Sequence, residues 1–290
     1  MSKKGFVNLF LSTLILVAFS SASQAEPWKP SWSPDGKYIV YYERANGNML
    51  IKRLELSTNK VESLTDDSVW LHTPKYSSDG KKIFASGKQN QKRGMFEFDI
   101  ANKKLRKLEG IEGMAMHPAQ SPDGKWLAYD QKMTNDTMDL HLMNLETGEI
   151  EHALSTKEEE YHPMWSPDSR YILLDYGTRE SSAPLVRFDT QTKQVKKLVD
   201  SPKLTIVNPA YSNSGKNIVF GAKEAGIIRV DAQGKHKQVI RKAPDGWKSY
   251  SPVYSPNDDL IAFTEVNSDF SDGKIMLMKA DGSDVRVLVD

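Results

Sequence analysis

The chain repeats one short motif six times: a proline, a variable residue, usually an aromatic residue, then Ser-Pro-Asp-Gly-Lys or a close variant, followed by an apolar run. The repeat prolines are Pro30, Pro74, Pro118, Pro163, Pro209 and Pro252. Successive prolines are 43 to 46 residues apart. A period in the forties, with regular turn motifs, is typical of a β-propeller with one blade per repeat. The sequence therefore predicts an all-β chain folded as a six-bladed β-propeller.

Each repeat has room for four short antiparallel strands, the first of which ends at the motif serine. Pro-Asp-Gly favours a tight turn after that strand, because proline fixes φ, aspartate accepts hydrogen bonds from nearby amides, and glycine accepts a positive φ. We therefore assign the motif aspartates to turns and not to a ligand-binding carboxylate array: Asp35, Asp79, Asp123 and Asp168. We expect one propeller domain over residues 26–290, with repeats beginning near residues 28, 72, 116, 161, 207 and 250.

The first 25 residues have the pattern of a cleaved secretory signal peptide. Lys3 and Lys4 precede a mostly apolar stretch over residues 7–19, and small residues follow at Ser23 and Ala25. The apolar stretch is short for a membrane span; a retained N-terminal anchor is the alternative. The chain contains no cysteine, so neither a lipidated cysteine nor a disulfide is expected. We predict a signal peptide at residues 1–25 and a periplasmic or secreted protein with no membrane insertion after cleavage.

The charge balance gives no reason to expect a polyanionic partner. The chain has 39 Lys and Arg against 38 Asp and Glu. Two of the basic residues lie in the predicted signal peptide, so the remainder has a formal net charge of −1. Proteins that bind nucleic acids or anionic membrane surfaces rely on an excess of basic residues. We therefore expect no nucleic acid partner.

The order of the strands divides the propeller into two faces. Turns after the first and third strands of each blade lie on one face, which we call the turn face, and they are short and repetitive. Connections after the second and fourth strands lie on the other face, the loop face, and they vary in length and content. Variable loops on a rigid scaffold are the usual place for binding sites. We expect function at the loop face and at the mouth of the central channel beside it.

Aromatic and polar side chains precede or begin the inner strands, where they can line this mouth. Rigid aromatic groups with a polar edge are common in binding surfaces, although packing between blades explains the same residues equally well. The candidate ligand-binding residues are Trp70, His72, His117, Tyr161, His162, Asn208, Trp247 and Tyr250.

Three histidines allow an alternative based on a metal. His117 and His162 stand directly before their repeat prolines, and His72 stands two residues before Pro74. Histidines from neighbouring blades could hold one divalent metal in the channel, which would acidify a sugar C–H or a water molecule. Hydrogen bonds to neighbouring backbone carbonyls are the competing interpretation. The histidines lack the short spacing of common metal motifs, so we expect no cofactor.

The six motifs resemble the WD-like repeat of the TolB-type propeller family, whose consensus is close to Pro-x-Trp-Ser-Pro-Asp-Gly-Lys-x-Ile-Ala-Phe. Similar repeats occur in periplasmic binding propellers, in prolyl-oligopeptidase-like enzymes and in oligogalacturonate lyases. TolB also carries an α/β domain before its propeller, and here the first repeat directly follows the predicted signal peptide. The peptidases need a Gly-x-Ser-x-Gly motif, which this sequence lacks.

The resemblance implies a non-catalytic binding or scaffolding module. Its ligand would be a protein, a peptide or a component of the cell envelope, bound at the channel mouth. The alternative implied by the same resemblance is a metal-dependent polysaccharide lyase of the oligogalacturonate type, which would use His72, His117 and His162. We expect the first of these, and therefore a protein that is not an enzyme.

Overall fold

A computed structural model describes residues 26–45, 47–134, 136–177 and 183–290, which form 24 β-strands. Those residues include no helix that could serve as a transmembrane span. The predicted signal peptide at residues 1–25 lies outside the described residues. The strands form six sheets, and each sheet contains four consecutive antiparallel strands in sequence order. The prediction of an all-β, six-bladed propeller with four antiparallel strands per blade is confirmed.

The strands have the following bounds. Blade 1 contains β1 (Glu26–Trp32), β2 (Tyr38–Ala45), β3 (Asn48–Glu55) and β4 (Lys60–Ser63). Blade 2 contains β5 (Val69–Tyr76), β6 (Lys82–Gln89), β7 (Lys92–Asp99) and β8 (Lys104–Lys107). Blade 3 contains β9 (Ala115–Gln120), β10 (Trp126–Lys132), β11 (Met138–Asn144) and β12 (Ile150–Leu154). Blade 4 contains β13 (Glu160–Trp165), β14 (Tyr171–Tyr176), β15 (Leu185–Asp189) and β16 (Val195–Val199). Blade 5 contains β17 (Ile206–Tyr211), β18 (Asn217–Ala222), β19 (Gly226–Asp231) and β20 (Gln238–Arg241). Blade 6 contains β21 (Trp247–Tyr254), β22 (Leu260–Asn267), β23 (Gly273–Lys279) and β24 (Arg286–Val289).

The repeated motif forms the turn between the first and second strands of each blade. In blade 1, Ser33 Oγ donates to Asp35 Oδ1 at 2.6 Å and accepts from the Tyr38 amide at 2.9 Å. Asp35 Oδ1 also accepts from the Lys37 amide at 3.1 Å, and Gly36 has a φ of 72°. The same serine and amide bonds recur at Asp79, Asp123 and Asp168. The prediction that these aspartates form turns is confirmed.

Neighbouring blades pack face to face through buried aliphatic and aromatic side chains. The aromatic residue of the motif reaches back to the preceding blade. Trp165 Nε1 donates to the Ala119 carbonyl at 2.9 Å, and Trp32 Nε1 donates to the Val253 carbonyl at 3.2 Å. The second of these bonds crosses from blade 1 to blade 6, where β1 contacts β21, β22 and β23. The ring therefore closes by packing two complete sheets against each other.

Blade 3 departs from this pattern because Gln120 replaces the motif aromatic residue. Gln120 Oε1 accepts from the Ser78 amide of blade 2 at 2.7 Å. A cleft of about 830 Å³ lies beside it between blades 2 and 3, with Phe84 and Glu97 on one wall and Met143 on the other. The glutamine thus joins the two turns but leaves unfilled some of the space that an aromatic ring would occupy.

Candidate functional site

Six residues form a ring around the central channel, one from the inner strand of each blade. Each stands directly before a repeat proline and has a φ between 51° and 56°. An irregularity in strand pairing occurs at the same place in every blade. We call these residues the channel ring: Lys29, Thr73, His117, His162, Asn208 and Ser251. A positive φ is costly for residues other than glycine. The surrounding fold therefore holds these six residues in a backbone conformation that they would not adopt by themselves.

Two members of the ring, His117 and His162, form matched pairs with buried aspartates. His117 Nδ1 lies 2.9 and 3.0 Å from the two carboxylate oxygens of Asp130, and His162 Nδ1 lies 2.9 Å from both oxygens of Asp175. The two imidazole rings are in contact, with centroids 3.9 Å apart. A carboxylate at Nδ1 orients the ring and favours the proton on that nitrogen. Each aspartate thus fixes the orientation of its imidazole ring.

The two aspartates each lie thirteen positions after their histidine, on the second strand of the same blade. In blade 2 this position is Ser86, whose hydroxyl accepts from Thr73 at 3.1 Å. Asp130 is fully buried and Asp175 nearly so. Sequence reasoning missed both aspartates, although a charged residue within an apolar strand, at one spacing in adjacent blades, could have indicated them.

Lys29 and Lys75 add two ammonium groups to the channel lining. Burial lowers the pKa of Lys29 to about 7, with Asp175 and Asp130 opposing the shift and Lys75 adding to it. Burial also lowers the pKa of Lys75 to about 8. Within the described part of the chain, neither ammonium has a carboxylate oxygen within ion-pairing distance of 4.0 Å. These lysines were also missed, because one lysine among 39 basic residues carries no distinguishing pattern in the sequence.

The electrostatics of the ring disfavour charge on its histidines. Burial lowers the pKa of His117 well below its ordinary value, and the nearby His162 and Lys29 lower it further. Burial also lowers the pKa of His162, although Asp175 opposes this. Burial raises the pKa of Asp130 well above its ordinary value. The buried pairs therefore form a network in which protons and charge can redistribute when a ligand brings a new charge.

The channel is narrow at the ring and wider at both ends. The cavity at the ring is about 40 Å³, enough for very few water molecules. On the loop face a mouth of about 310 Å³ shares His117 and His162 with the ring and is also lined by Tyr161, Thr205 and Lys223. On the turn face a second mouth of about 470 Å³ shares Lys75 with the cavity at the ring. A ligand at either mouth can therefore place only a small group into the ring.

The eight residues predicted from the sequence fall into separate places. His117, His162 and Asn208 belong to the channel ring, and Tyr161 lines the loop-face mouth. His72 lies one position out of register with the ring, since Thr73 occupies the ring position of blade 2.

His72 belongs to an aromatic group between blades 1 and 2. Its ring centroid lies 5.0 Å from that of Trp70 and 6.1 Å from that of Tyr42. The Lys88 ammonium lies 5.7 Å from the Trp70 ring. Burial, together with Lys29 and Arg93, lowers the pKa of His72 to about 4. His72 is thus a neutral packing group at neutral pH.

Trp247 and Tyr250 lie at the loop-face end of blade 6. Phe270, which is 42% exposed, stacks near Tyr250 with centroids 6.4 Å apart and near Trp28 with centroids 6.0 Å apart. The Lys274 ammonium lies 5.6 Å from the Trp247 ring. This group adds an aromatic surface to the junction of blades 6 and 1, apart from the ring itself.

The three-histidine metal site predicted as an alternative is not assembled by these positions. Among the residues that the structure describes, no group of three or more His, Asp or Glu side chains is arranged to hold a metal ion. His117 and His162 are close, but His72 points into a different cluster. The ammonium of Lys29 acts on all three histidines and would oppose a cation at the ring.

The fold and the channel define a six-bladed β-propeller with a polar ring at its narrowest point. The TolB beta propeller domain profile matches residues 66–290. The chain belongs to this family, which confirms the resemblance seen in its repeats.

Several known proteins share this architecture. The Tol-Pal system protein TolB of Francisella tularensis is 26% identical over 201 residues, which is 68% of this chain and 46% of that protein. The chain thus spans about half the length of the TolB relatives it matches. TolB from Acinetobacter baumannii aligns with a TM-score of 0.68 at 17% identity, covering 90% of this chain and 65% of that one. Oligogalacturonate lyase from Vibrio parahaemolyticus aligns with a TM-score of 0.60 at 16% identity, covering 88% of this chain and 91% of that one. At these identities, the structural similarities show the fold alone.

Proposed function

We propose that this propeller is a non-catalytic binding module of the periplasm, and that it holds a segment of an envelope protein at the loop-face mouth of its channel. The observation that carries the proposal is the 310 Å³ mouth, which opens beside Tyr161 and shares His117 and His162 with the channel ring. An aromatic side chain beside polar groups suits a protein ligand. Because the six sheets form a closed ring, little ordering of the scaffold is needed on binding.

The family supplies the class of partner. The relative from Francisella tularensis is named as a component of the Tol-Pal system. We take a Pal protein as the first candidate partner for this chain. The predicted signal peptide agrees with a periplasmic location.

Titration calorimetry with the soluble domain of Pal from the same organism tests the proposal. We expect saturable binding to the wild-type protein. Tyr161→Ala should weaken it at least tenfold, which corresponds to about 1.4 kcal/mol. Tyr38→Ala is the matched control, since Tyr38 begins β2 beside the turn face. Equal affinities for the two variants would rule out the loop-face mouth, and no binding to the wild-type protein would rule out Pal as the partner.

A metal-dependent polysaccharide lyase is the second candidate function. The observation that favours it is the pair of neighbouring histidines with carboxylates at Nδ1, an arrangement that orients metal ligands in other proteins. Elemental analysis of protein purified without chelator or nickel affinity decides between the two. About one equivalent of manganese, calcium, zinc or iron, lost in His117→Ala, would support the lyase. A folded protein without metal would rule it out in this form.

A further inference from the structure

Among the residues that the structure describes, two lysine side chains in the channel have no carboxylate within ion-pairing distance, unlike the other charged groups there. Asp130 and Asp175 are each capped by a histidine Nδ1 at 2.9 to 3.0 Å. Lys29 and Lys75 line the same cavity, yet within the described residues neither ammonium has a carboxylate within 4.0 Å. A charged group out of bulk water is stable only when it is paired or hydrogen-bonded. The described part of the chain therefore leaves positive charge in the channel without an ion-pairing partner.

A third donor, the side-chain amide of Asn208, lines the same cavity. Ser251 Oγ donates to Asn208 Oδ1 at 3.1 Å. Since the oxygen of the Asn208 amide is thereby bound to the protein, its NH₂ group has its two donors left for the cavity. Lys29, Lys75 and Asn208 come from blades 1, 2 and 5, so their donors reach the cavity from different sides.

The size of the cavity limits what can enter it. About 40 Å³ at the ring accommodates a carboxylate group or very few water molecules, but no length of main chain. The larger loop-face mouth adjoins it, since His117 and His162 line both cavities. A ligand segment that rests in the mouth can thus place one side chain into the ring.

We propose that the channel ring binds the carboxylate of an aspartate or glutamate side chain, presented by a segment that lies in the loop-face mouth, with Lys29 as its principal partner. This inference rests on the proposed binding function and specifies the chemistry of the ligand. A single negative charge fits better than a phosphate dianion, because Asp130 and Asp175 already place acidic groups around the cavity. A charge-assisted hydrogen bond to an ammonium supplies the selectivity over a neutral amide.

Two capped tripeptides test the charge of the ligand: acetyl-Gly-Glu-Gly-amide and acetyl-Gly-Gln-Gly-amide, which differ only in that charge. Binding is followed by the NMR shifts of the histidine ring protons, because His117 and His162 line the cavity. We expect saturable shifts with the glutamate peptide and at least tenfold weaker binding of the glutamine peptide. Tighter binding of inorganic phosphate than of the glutamate peptide would overturn the choice of a carboxylate.

Substitution of Lys29 tests whether this residue binds the ligand carboxylate. Lys29→Met should weaken binding of the glutamate peptide at least tenfold and abolish its preference over the glutamine peptide. Lys37→Met is the matched control, because Lys37 is exposed on the turn face. Equal binding of the two peptides by the wild-type protein, or unchanged binding by Lys29→Met, would overturn the proposal.

Calorimetry with soluble Pal separates this inference from the proposed function. If Pal binds and the peptides show no preference for glutamate, the carboxylate inference is wrong and the binding function stands. If the glutamate peptide is selected through Lys29 and Pal does not bind, the ligand chemistry stands and the assignment of Pal is wrong.

Discussion

Replacing Lys29 by methionine should stabilise the protein at acid and neutral pH. Burial lowers the pKa of Lys29 from 10.5 to about 7. A difference of about 3.5 pKa units at about 1.4 kcal/mol each sets an upper limit of about 5 kcal/mol for the cost of the charged form. Because the Lys29 side chain is only half-buried, solvent screening reduces this cost, and we expect about half of it, roughly 2–3 kcal/mol. For a chain of this size that corresponds to an increase in Tm of about 5–10 °C.

The pH dependence gives the sharper test. Below pH 7 the lysine is protonated in the folded and the unfolded protein, so the full free-energy cost of the buried charge is present. Between about pH 7 and pH 10.5 the folded protein binds fewer protons than the unfolded protein. The free energy of unfolding of the wild-type protein therefore rises relative to that of the variant as pH rises. Thermal unfolding of wild type, Lys29→Met and Lys37→Met at pH 6, 8 and 10 measures this. A stability difference independent of pH, or a less stable Lys29→Met at pH 6, would refute the reasoning.

Three further changes test the fold and the ring. Gly124→Val should lower the free energy of unfolding in urea by about 1–3 kcal/mol, because φ is 78° and an added Cβ would lie 3.3 Å from Ser78 Oγ. Gly148→Val is the control, since Gly148 has the same φ but open space around it, and it should lower the free energy of unfolding less. Equal losses in the two variants would contradict the contribution of the contact with Ser78. Trp165→Phe removes the bond to the Ala119 carbonyl and should cost about 1–3 kcal/mol by urea unfolding; no change would mean that water replaces it. Asp175→Asn should change the tautomer of His162 in ¹⁵N NMR spectra; an unchanged spectrum would contradict the pairing.

The period of the motif was enough to predict the blades and their turns. Each turn uses local chemistry, in which Ser33 and Asp35 bind amides within five residues, so the sequence pattern contains the whole interaction. How the ring closes was not predicted from the sequence; the structure shows it, because β1 of blade 1 packs against β21, β22 and β23 of blade 6.

The channel was harder to predict, because its geometry arises from six blades together. Lysine at position 29 has no preference for a positive φ, and the strand irregularity that imposes it is not visible in the residue types. His72 stands two residues before its repeat proline, whereas His117 and His162 stand directly before theirs, and a shift of one residue on a strand moves a side chain to the opposite face. Asp130 and Asp175 lie in mostly apolar strands that the sequence predicts to be buried in the core. Their role is evident only from the structure, which places the histidines beside them.

The cleft beside Gln120 makes the junction of blades 2 and 3 different from the junctions bridged by tryptophan. At those junctions a buried indole spans two blades, whereas here a single amide side chain joins the turns beside an open volume of about 830 Å³. Local opening of a protein begins where few apolar contacts must be broken. Amide hydrogens at the Gln120 end of β9, next to this cleft, should therefore exchange with solvent faster than those at the Trp165 end of the equivalent strand β13. Behind the cleft, buried side chains of both blades, including Phe84 and Tyr129, keep the two sheets packed. The missing aromatic residue therefore loosens one edge of the ring and leaves the core of the junction intact.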